Sequence, residues 1–319
     1  MEALKFYLNT DLGLVSKSIL DREVIGFVKF ANLYIGKFVH DRMRHNVFHN
    51  MVSHFEKFEE VLNVKLNCDN IGKEMLDRFT GYLRHEKRLA DSTAGTIIRC
   101  AKLILRKCSE YGYAYNPSYT ESRFHEGEIF AVALEKREIA CLYYARNCGF
   151  TKRQEEVKDL FVLQCQTGLR FSDLMRLSKE HIIGNTIHIV SKKTRVKVCI
   201  PMNKYVREIF GKYNLLLPSA PTIQSYNKIV KEICRKAGLT DVVTYEIDRG
   251  GELVPESKRL YELVSSHTAR RSYITNMLRD RMSPTAIMKS TGHKKLDTLS
   301  RYDRMSQEET VLVLSTASI

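Results

Sequence analysis

Between residues 46 and 63 apolar side chains return every three or four positions: Val47, Met51, Phe55, Phe58 and Leu62, with His, Glu and Lys between them. One face of a 3.6-residue helix has this spacing, so the stretch predicts an amphipathic helix. Met75, Leu76, Phe79 and Leu83 predict a second helix over 71–88. Asp91-Ser92 reads as the N-cap of a third, whose stripe is Ala94, Ile97, Ile98, Ala101, Ile104, Leu105 and Cys108 and which Gly112 ends. Helices with one apolar face must cover one another, so the three are expected as a small bundle. Ahead of them, Leu4, Phe6 and Leu8 suggest a short strand and Glu23 to Phe38 a helix.

The pattern changes at Tyr115. Residues 115–127 carry Asn116-Pro117 and a polar run with no stripe, which reads as a linker. Beyond it, Glu155 to Gln166 predicts a helix that runs into Thr167-Gly168, and Ser172 to Leu177 restarts one. The period then drops to two. Ile187, Ile189, Val196, Val198 and Ile200 alternate with polar residues around Ser191-Lys192-Lys193-Thr194, which is a hairpin signal. Helices are expected from about Lys204 to the end. The fold class is therefore mainly α with a small β-sheet. The division expected is a leader at 1–43, a helical domain at 44–114, a linker at 115–127 and a second domain at 128–319.

Composition sharpens this. Apolar residues make up 44% of the 319 and charged residues 28%, enough core to exclude wholesale disorder. The net charge is +14, and it is uneven: Lys and Arg outnumber Asp and Glu by 18 to 15 up to Glu121 and by 33 to 22 beyond it. Such an excess in one half favours a polyanionic partner, although solubility alone gives the same sign. None of the eight cysteines forms a C-x-x-C pair, so zinc-ribbon and thioredoxin-type sites lack support. The first ten residues contain Glu2 and Lys5 and no apolar stretch, and no run is long enough to span a membrane. A reducing cytoplasm fits, with no membrane association.

Several polar residues occupy unusual places. Arg170 follows a Thr-Gly turn between two predicted helices. Lys193 lies at the hairpin tip. His267 and Arg270 share a helix face. His293 follows Gly292 at a helix break, and Tyr302 stands nine residues further on. Singly, each has an ordinary reading: a solvated arginine, a structural histidine, a packing tyrosine with its hydroxyl in water. In order they form a set. Thr167-Gly168-Leu169-Arg170-Phe171-Ser172-Asp173-Leu174 comes first, then Lys193-Thr194 eight residues before Pro201. His267-Thr268-Ala269-Arg270-Arg271-Ser272, Thr291-Gly292-His293 and Tyr302 follow. On these motifs the chain resembles the tyrosine recombinase (phage integrase) family. The resemblance covers the second domain end to end. The 46–112 bundle is similar to the family's SAM-like core-binding domain, with no motif as sharp.

The resemblance implies a chemistry and assigns its parts. Tyr302 would attack a DNA phosphate, leaving a 3′-phosphotyrosine bond and a free 5′-hydroxyl and so conserving the phosphodiester energy for rejoining. Arg170 and Arg270 would hold the non-bridging oxygens, because planar guanidinium forks fit phosphate and stay charged. His293 would add a hydrogen bond to the same phosphate. Lys193 would protonate the departing oxygen, with Lys192 the competing candidate. His267 would assist as base or hydrogen-bond partner. Asp173, one helical turn after Arg170, would orient that arginine or its neighbours. No Asp/Glu cluster has two-metal spacing, so neither metal nor cofactor is expected.

The remaining expectations concern assembly. The family closes on double-stranded DNA as a C-shaped clamp, which would bring Arg84, Lys87, Arg88, Arg99, Lys102 and Arg106 of the bundle near phosphate, with steep salt dependence. A plain solvated face is the alternative for each. The resemblance implies a homotetramer on paired recombination sites, accessory DNA-bending proteins as further partners, and integration, excision or inversion of a mobile element as the outcome. The apolar run Val311-Leu312-Val313-Leu314 would dock on a neighbouring subunit or pack on its own. Two other readings compete. An inactive DNA-binding relative would have no need of Tyr302, and a type IB topoisomerase would relax supercoils as a monomer without a specific site.

Overall fold

A computed structural model describes residues 22–124, 127, 130–146, 148–219, 221–300, 302 and 311. The predicted strand at Leu4 to Leu8 lies outside the described residues. So does the apolar run at 311–314 apart from Val311, which is exposed. The chain forms two compact units. One takes the described residues before Phe130 together with Glu246–Pro255, and the other takes Phe130–Tyr245 and the described residues from Glu256 on.

In the first unit α1 (Phe27–Phe38), α2 (Arg42–Leu62), α3 (Lys73–Gly81) and α4 (Asp91–Glu110) surround a core of aromatic rings. Phe55 is its centre, with ring centroids 4.2 Å from Phe27 and 3.9 Å from Phe79. The stripe of α2 is set one residue later than predicted at its start. Phe48 and Val52 are buried while Val47 is 39% exposed, the larger ring of the adjacent pair taking the interior. The side chain of Asp41 caps α2 by accepting from the Arg44 N–H at 2.8 Å. After Gly81 the helix of the second stripe widens into a π turn, Tyr82–Glu86. Ala90, not Asp91, is the N-cap of α4. Asp91 is 3% exposed and faces Arg84 instead, accepting from its Nη2 and, at 3.2 Å, from its Nε. Phe27, Phe30, Ala31 and Ile35 of α1 share this core, as does Tyr119 from the 3₁₀ turn Pro117–Thr120. The apolar cluster is thus wider at both ends than the three helices that the stripes mark.

The second unit is built on α6 (Lys152–Thr167), which follows α5 (Lys136–Tyr144). Val157, Leu160, Phe161, Val162, Leu163 and Cys165 are buried on all sides of α6, as in a helix enclosed by its neighbours. A single turn, α7 (Phe171–Leu174), stands where a helix to Leu177 is predicted. Three antiparallel strands follow: β1 (Ile182–Ile183), β2 (Thr186–Val190) and β3 (Lys197–Pro201). In β2 and β3, Ile187 pairs with Ile200 and Ile189 with Val198, and these four form the buried face. Then come α8 (Lys204–Lys212) and α9 (Ile223–Lys236).

Helices do not continue from there to the end. A second hairpin, β4 (Val242–Arg249) and β5 (Glu252–Arg259), intervenes. Its strands are mostly exposed, so they carry little apolar alternation to read. The legible signal was the turn: Gly250 and Gly251 sit at φ 71° and 82°, the left-handed region that a tight hairpin turn needs. The unit closes with α10 (Leu260–Leu263), α11 (Ser266–Arg279), α12 (Pro284–Thr291) and α13 (Leu296–Ser300). Tyr273, Ile274, Ile287 and Leu299 form a small core among the last three, with Tyr302 packed against it.

Candidate active site

Among the described residues Arg270 is the most enclosed arginine or lysine, at 2% exposure. It projects from α11, which starts in a capping box of Ser265 and Thr268 and lies against α6. Its Nη1 donates to the Gly168 carbonyl at 2.7 Å, and its Nη2 to the Thr291 carbonyl at 2.6 Å. Those two carbonyls are the ends of α6 and α12, so the guanidinium ties two helix C-termini together, where carbonyls are otherwise unpaired. Gly168 is required for this. It sits at φ +63°, and a Cβ there would stand 2.5 Å from the Tyr273 ring.

Arg170 opens α7 and is half-buried. Its Nη1 donates to Ser191 Oγ at 3.0 Å. Ser191 Oγ donates in turn to Asp173 Oδ2 at 3.0 Å, and the other oxygen of Asp173 accepts from the Lys192 N–H at 2.8 Å. Asp173 is 1% exposed. It therefore acts on Arg170 through Ser191, and it fixes the root of the β2–β3 turn at the same time. Lys192 and Lys193 are exposed on that turn. Gly292, at φ +70°, brings the end of α12 against β3, where a Cβ would be 3.0 Å from Val198 Cγ1.

His293 follows that glycine and is 7% exposed. Its Nε2 lies 3.1 Å from Arg270 Nη2 and its Nδ1 2.8 Å from Thr291 Oγ1. Tyr302 completes the group. Its carbonyl accepts from Thr275 Oγ1 at 2.8 Å, which fixes the backbone against α11. Its hydroxyl is 3.1 Å from His267 Nε2. Its ring lies 5.1 Å from that of His293 and 6.0 Å from the Arg270 guanidinium carbon. Tyr302, both histidines and Arg270 thus share one pocket, with Arg170 close enough for its charge to act on all three cationic or basic groups.

The electrostatics have one sign. Burial, then Arg270, Arg170 and His267, push His293 down to about 3. Enclosure, then Arg271, Arg270, Arg170 and Lys193, bring His267 down to about 4, although its ring is open to solvent on one side. Burial and Arg170 lower even Arg270, to about 10, against the opposing pull of Tyr302 and Asp173. Both histidines are therefore neutral near pH 7, while the guanidiniums stay charged. Positive charges crowded in a poorly solvated place repel one another. A bound anion with several oxygens would relieve that repulsion, and a tyrosine hydroxyl beside a neutral imidazole has an acceptor for its proton.

The expected DNA-facing residues of the bundle fall into two sets. Arg84 and Lys102 are committed within their own unit. Arg84 pairs with Asp91 and lies over the Phe124 ring at 4.6 Å, and Lys102 donates to the Ser122 carbonyl. Lys87, Arg88, Arg99 and Arg106 are exposed. Motif reading passed over Ser191, Thr275 and Thr291 as functional residues. Thr291 stood inside a quoted motif and Ser191 in the hairpin signal, yet a hydroxyl gives no sign in sequence of what it will bond. Among the described residues no group of three or more His, Cys, Asp or Glu could hold a metal ion, and no helix is long and apolar enough to cross a membrane.

Comparison with known proteins gives the family. The phage integrase family model matches residues 134–309, and the phage integrase SAM-like domain model matches 26–124. The chain belongs to the phage integrase family, the tyrosine recombinases, which act in site-specific DNA recombination. No curated protein matches it. Among solved structures, the Tn1549 transposon integrase in complex with a circular intermediate DNA has TM-score 0.69 at 14% identity, covering 92% of this chain and 99% of that one. A lambda integrase dimer bound to a core site has TM-score 0.64 at 13%, covering 96% and 87%. The XerH recombinase in a post-cleavage complex has TM-score 0.63 at 17%, covering 92% and 94%. At such identities these likenesses speak to the fold.

Proposed function

We propose that this recombinase cuts and rejoins duplex DNA with Tyr302 as nucleophile, through a 3′-phosphotyrosine intermediate. The observation that carries the assignment is the Tyr302 hydroxyl at 3.1 Å from His267 Nε2, in the pocket that holds the Arg270 guanidinium. The phenol oxygen attacks phosphorus, and neutral His267 accepts its proton. Arg170 and Arg270 carry the charge that develops on the non-bridging oxygens, each contributing on the order of the ~3–4 kcal/mol of a single oxyanion-hole donor. His293 donates to the same phosphate. The leaving 5′-oxygen takes its proton from Lys193, which the exposed hairpin turn leaves free to approach; Lys192 is its rival. Asp173 holds Ser191 and the turn that carries both lysines. The bond energy stays in the phosphotyrosine link, so the 5′-hydroxyl reverses the step without a nucleotide cofactor.

Double-stranded DNA is the substrate, and a homotetramer on two paired sites is the working assembly. Support for the assembly comes from lambda integrase, solved as a tetramer bound to a Holliday junction. The reaction is placed in the cytoplasm, and accessory DNA-bending proteins remain part of the proposal. The test is covalent capture. The protein is incubated with a library of nicked duplexes that trap the cleaved state, then denatured and resolved on a gel. We expect a protein–DNA adduct that maps to Tyr302 and is absent from Tyr302→Phe. An adduct of equal yield in Tyr302→Phe removes the assignment.

A further inference from the structure

The hydrogen bonds around His293 fix where its proton is. A guanidinium can only donate, so Arg270 Nη2 at 3.1 Å makes Nε2 of His293 an acceptor. A neutral imidazole keeps one N–H, which must then be on Nδ1, donating to Thr291 Oγ1 at 2.8 Å. Thr291 Oγ1 passes its own hydrogen to the Ile287 carbonyl at 2.6 Å. The chain runs Arg270 to His293 to Thr291 to Ile287; it uses both hydrogens of Arg270 Nη2, the His293 Nδ1–H and the Thr291 hydroxyl hydrogen, while Arg270 Nε stays without a partner. In this arrangement the imidazole has no N–H left for a phosphate oxygen, and one N–H of Arg270 is spent on the imidazole.

We propose that the Thr291 hydroxyl is a switch that lets His293 change from acceptor to donor when a phosphate enters. This rests on the reading of the pocket as the phosphate site. Thr291 is 3% exposed and, among the described residues, is the one side chain bonded to Nδ1. Its hydroxyl rotates away from the Ile287 carbonyl and donates to Nδ1. Nδ1 releases its proton to solvent and Nε2 takes one up, so the ring stays neutral and no net charge enters the pocket. Two donors then face the phosphate: Nε2–H and the Arg270 N–H that it no longer occupies. The alternative is an imidazolium. The groups facing His293 oppose it: Arg270 and His267 from α11 and Arg170 from α7, with the Tyr302 ring on the remaining side. A hydroxyl can both accept and donate, and a methyl can do neither, so Thr291 is a positioning residue that an isosteric valine cannot replace.

The test is the protonation state of His293, read from its two ring nitrogens by ¹⁵N NMR at pH 7 on the full chain, with inorganic phosphate as the probe. His293→Gln assigns the signals. We expect Nδ1–H in the free protein and Nε2–H at saturating phosphate, in the wild type and in Thr291→Ser. In Thr291→Val we expect the Nε2–H state to be at least about tenfold less populated at equal phosphate occupancy. A free protein already protonated at Nε2, an imidazolium on binding, or a Thr291→Val protein that switches like wild type each overturns the switch. Absence of any phosphate response at Arg270 and His293 overturns the phosphate site itself, which separates that failure from the first.

Discussion

The two units solve the problem of an interior in opposite ways. Among the described residues the first buries three polar or charged side chains, Glu59, Asp91 and Ser122, and the second buries fifteen. The first is held by rings: Phe27, Phe55, Phe58 and Phe79 pack at tilted angles at its middle. The second threads Arg270, Asp173, His293 and a series of hydroxyls through its apolar core. A buried polar group costs free energy unless it is bonded, and a network left half-satisfied costs more than an apolar core. A fold whose only task was to be stable would do better with the first solution. The second has a costly interior, and the proposed chemistry lies there.

Substitutions at the centre of each unit should break this comparison most widely. Arg270→Ala removes a charge held between two helix-end carbonyls and leaves the Gly168 and Thr291 oxygens unpaired. We expect a loss of about 3–5 kcal/mol in stability from breaking a buried charged network. Cleavage should fall at least about a hundredfold besides. Phe55→Ala should cost a similar ~3–5 kcal/mol through cavity formation, in the first unit alone. The measurement is denaturant unfolding of both variants, with adduct formation assayed under conditions where each is folded. Equal retention of cleavage by the two would remove the distinction.

The pH dependence should separate the units at an intermediate scale. His293 and His267 have folded-state values near 3 and 4, against an ordinary 6.5. As pH falls below about 6.5 the unfolded chain takes up protons that the native site refuses, so stability present above that value is lost progressively towards pH 3–4. His54 in the first unit is lowered in the same sense, by burial, Lys57 and Lys87. One histidine against two gives the second unit the steeper loss. Amide exchange of α11 and α2, corrected for intrinsic rates and compared at pH 7 and 5, reads the difference. His293→Gln should flatten the loss in α11 and leave α2 unchanged; equal slopes in both helices would contradict the assignment.

The same contrast explains what the sequence could disclose. The first unit was legible through periodicity, because packing rings on helix faces leaves a 3.6-residue trace. The β2–β3 hairpin was legible through its two-residue alternation. The exposed β4–β5 hairpin had no such trace, since strands without a buried face need no alternation. The catalytic candidates were legible only as a set of motifs: periodicity cannot explain an arginine at position 270, whose burial depends on Gly168 and Thr291, 102 and 21 residues away. What stayed hidden was the connecting layer. Ser191 between Arg170 and Asp173, and Thr291 between His293 and Ile287, act by bond direction, which residue identity does not encode. Asp91 shows the reverse error: its residue type suggested a helix cap, yet its carboxylate serves Arg84.

The smallest expected effect concerns that arginine and a second one near the far end of α4. Arg106 is exposed and sits 3.5 Å from an exposed Glu110, so Arg106→Ala should change stability by less than about 0.5 kcal/mol. Arg84→Ala would strand the buried Asp91 and should cost several times as much. Duplex binding should rank them the other way. A guanidinium free to meet phosphate releases a counterion, so Arg106→Ala should reduce the slope of log affinity against log salt by about 0.9. Arg84, already neutralised by Asp91, has little to release, and its loss should leave the slope unchanged. Titration of a non-specific duplex at several salt concentrations decides between them. A slope reduced by Arg84→Ala and not by Arg106→Ala would mean that the buried ion pair opens onto DNA, and the apolar unit would then hide a polar switch of its own.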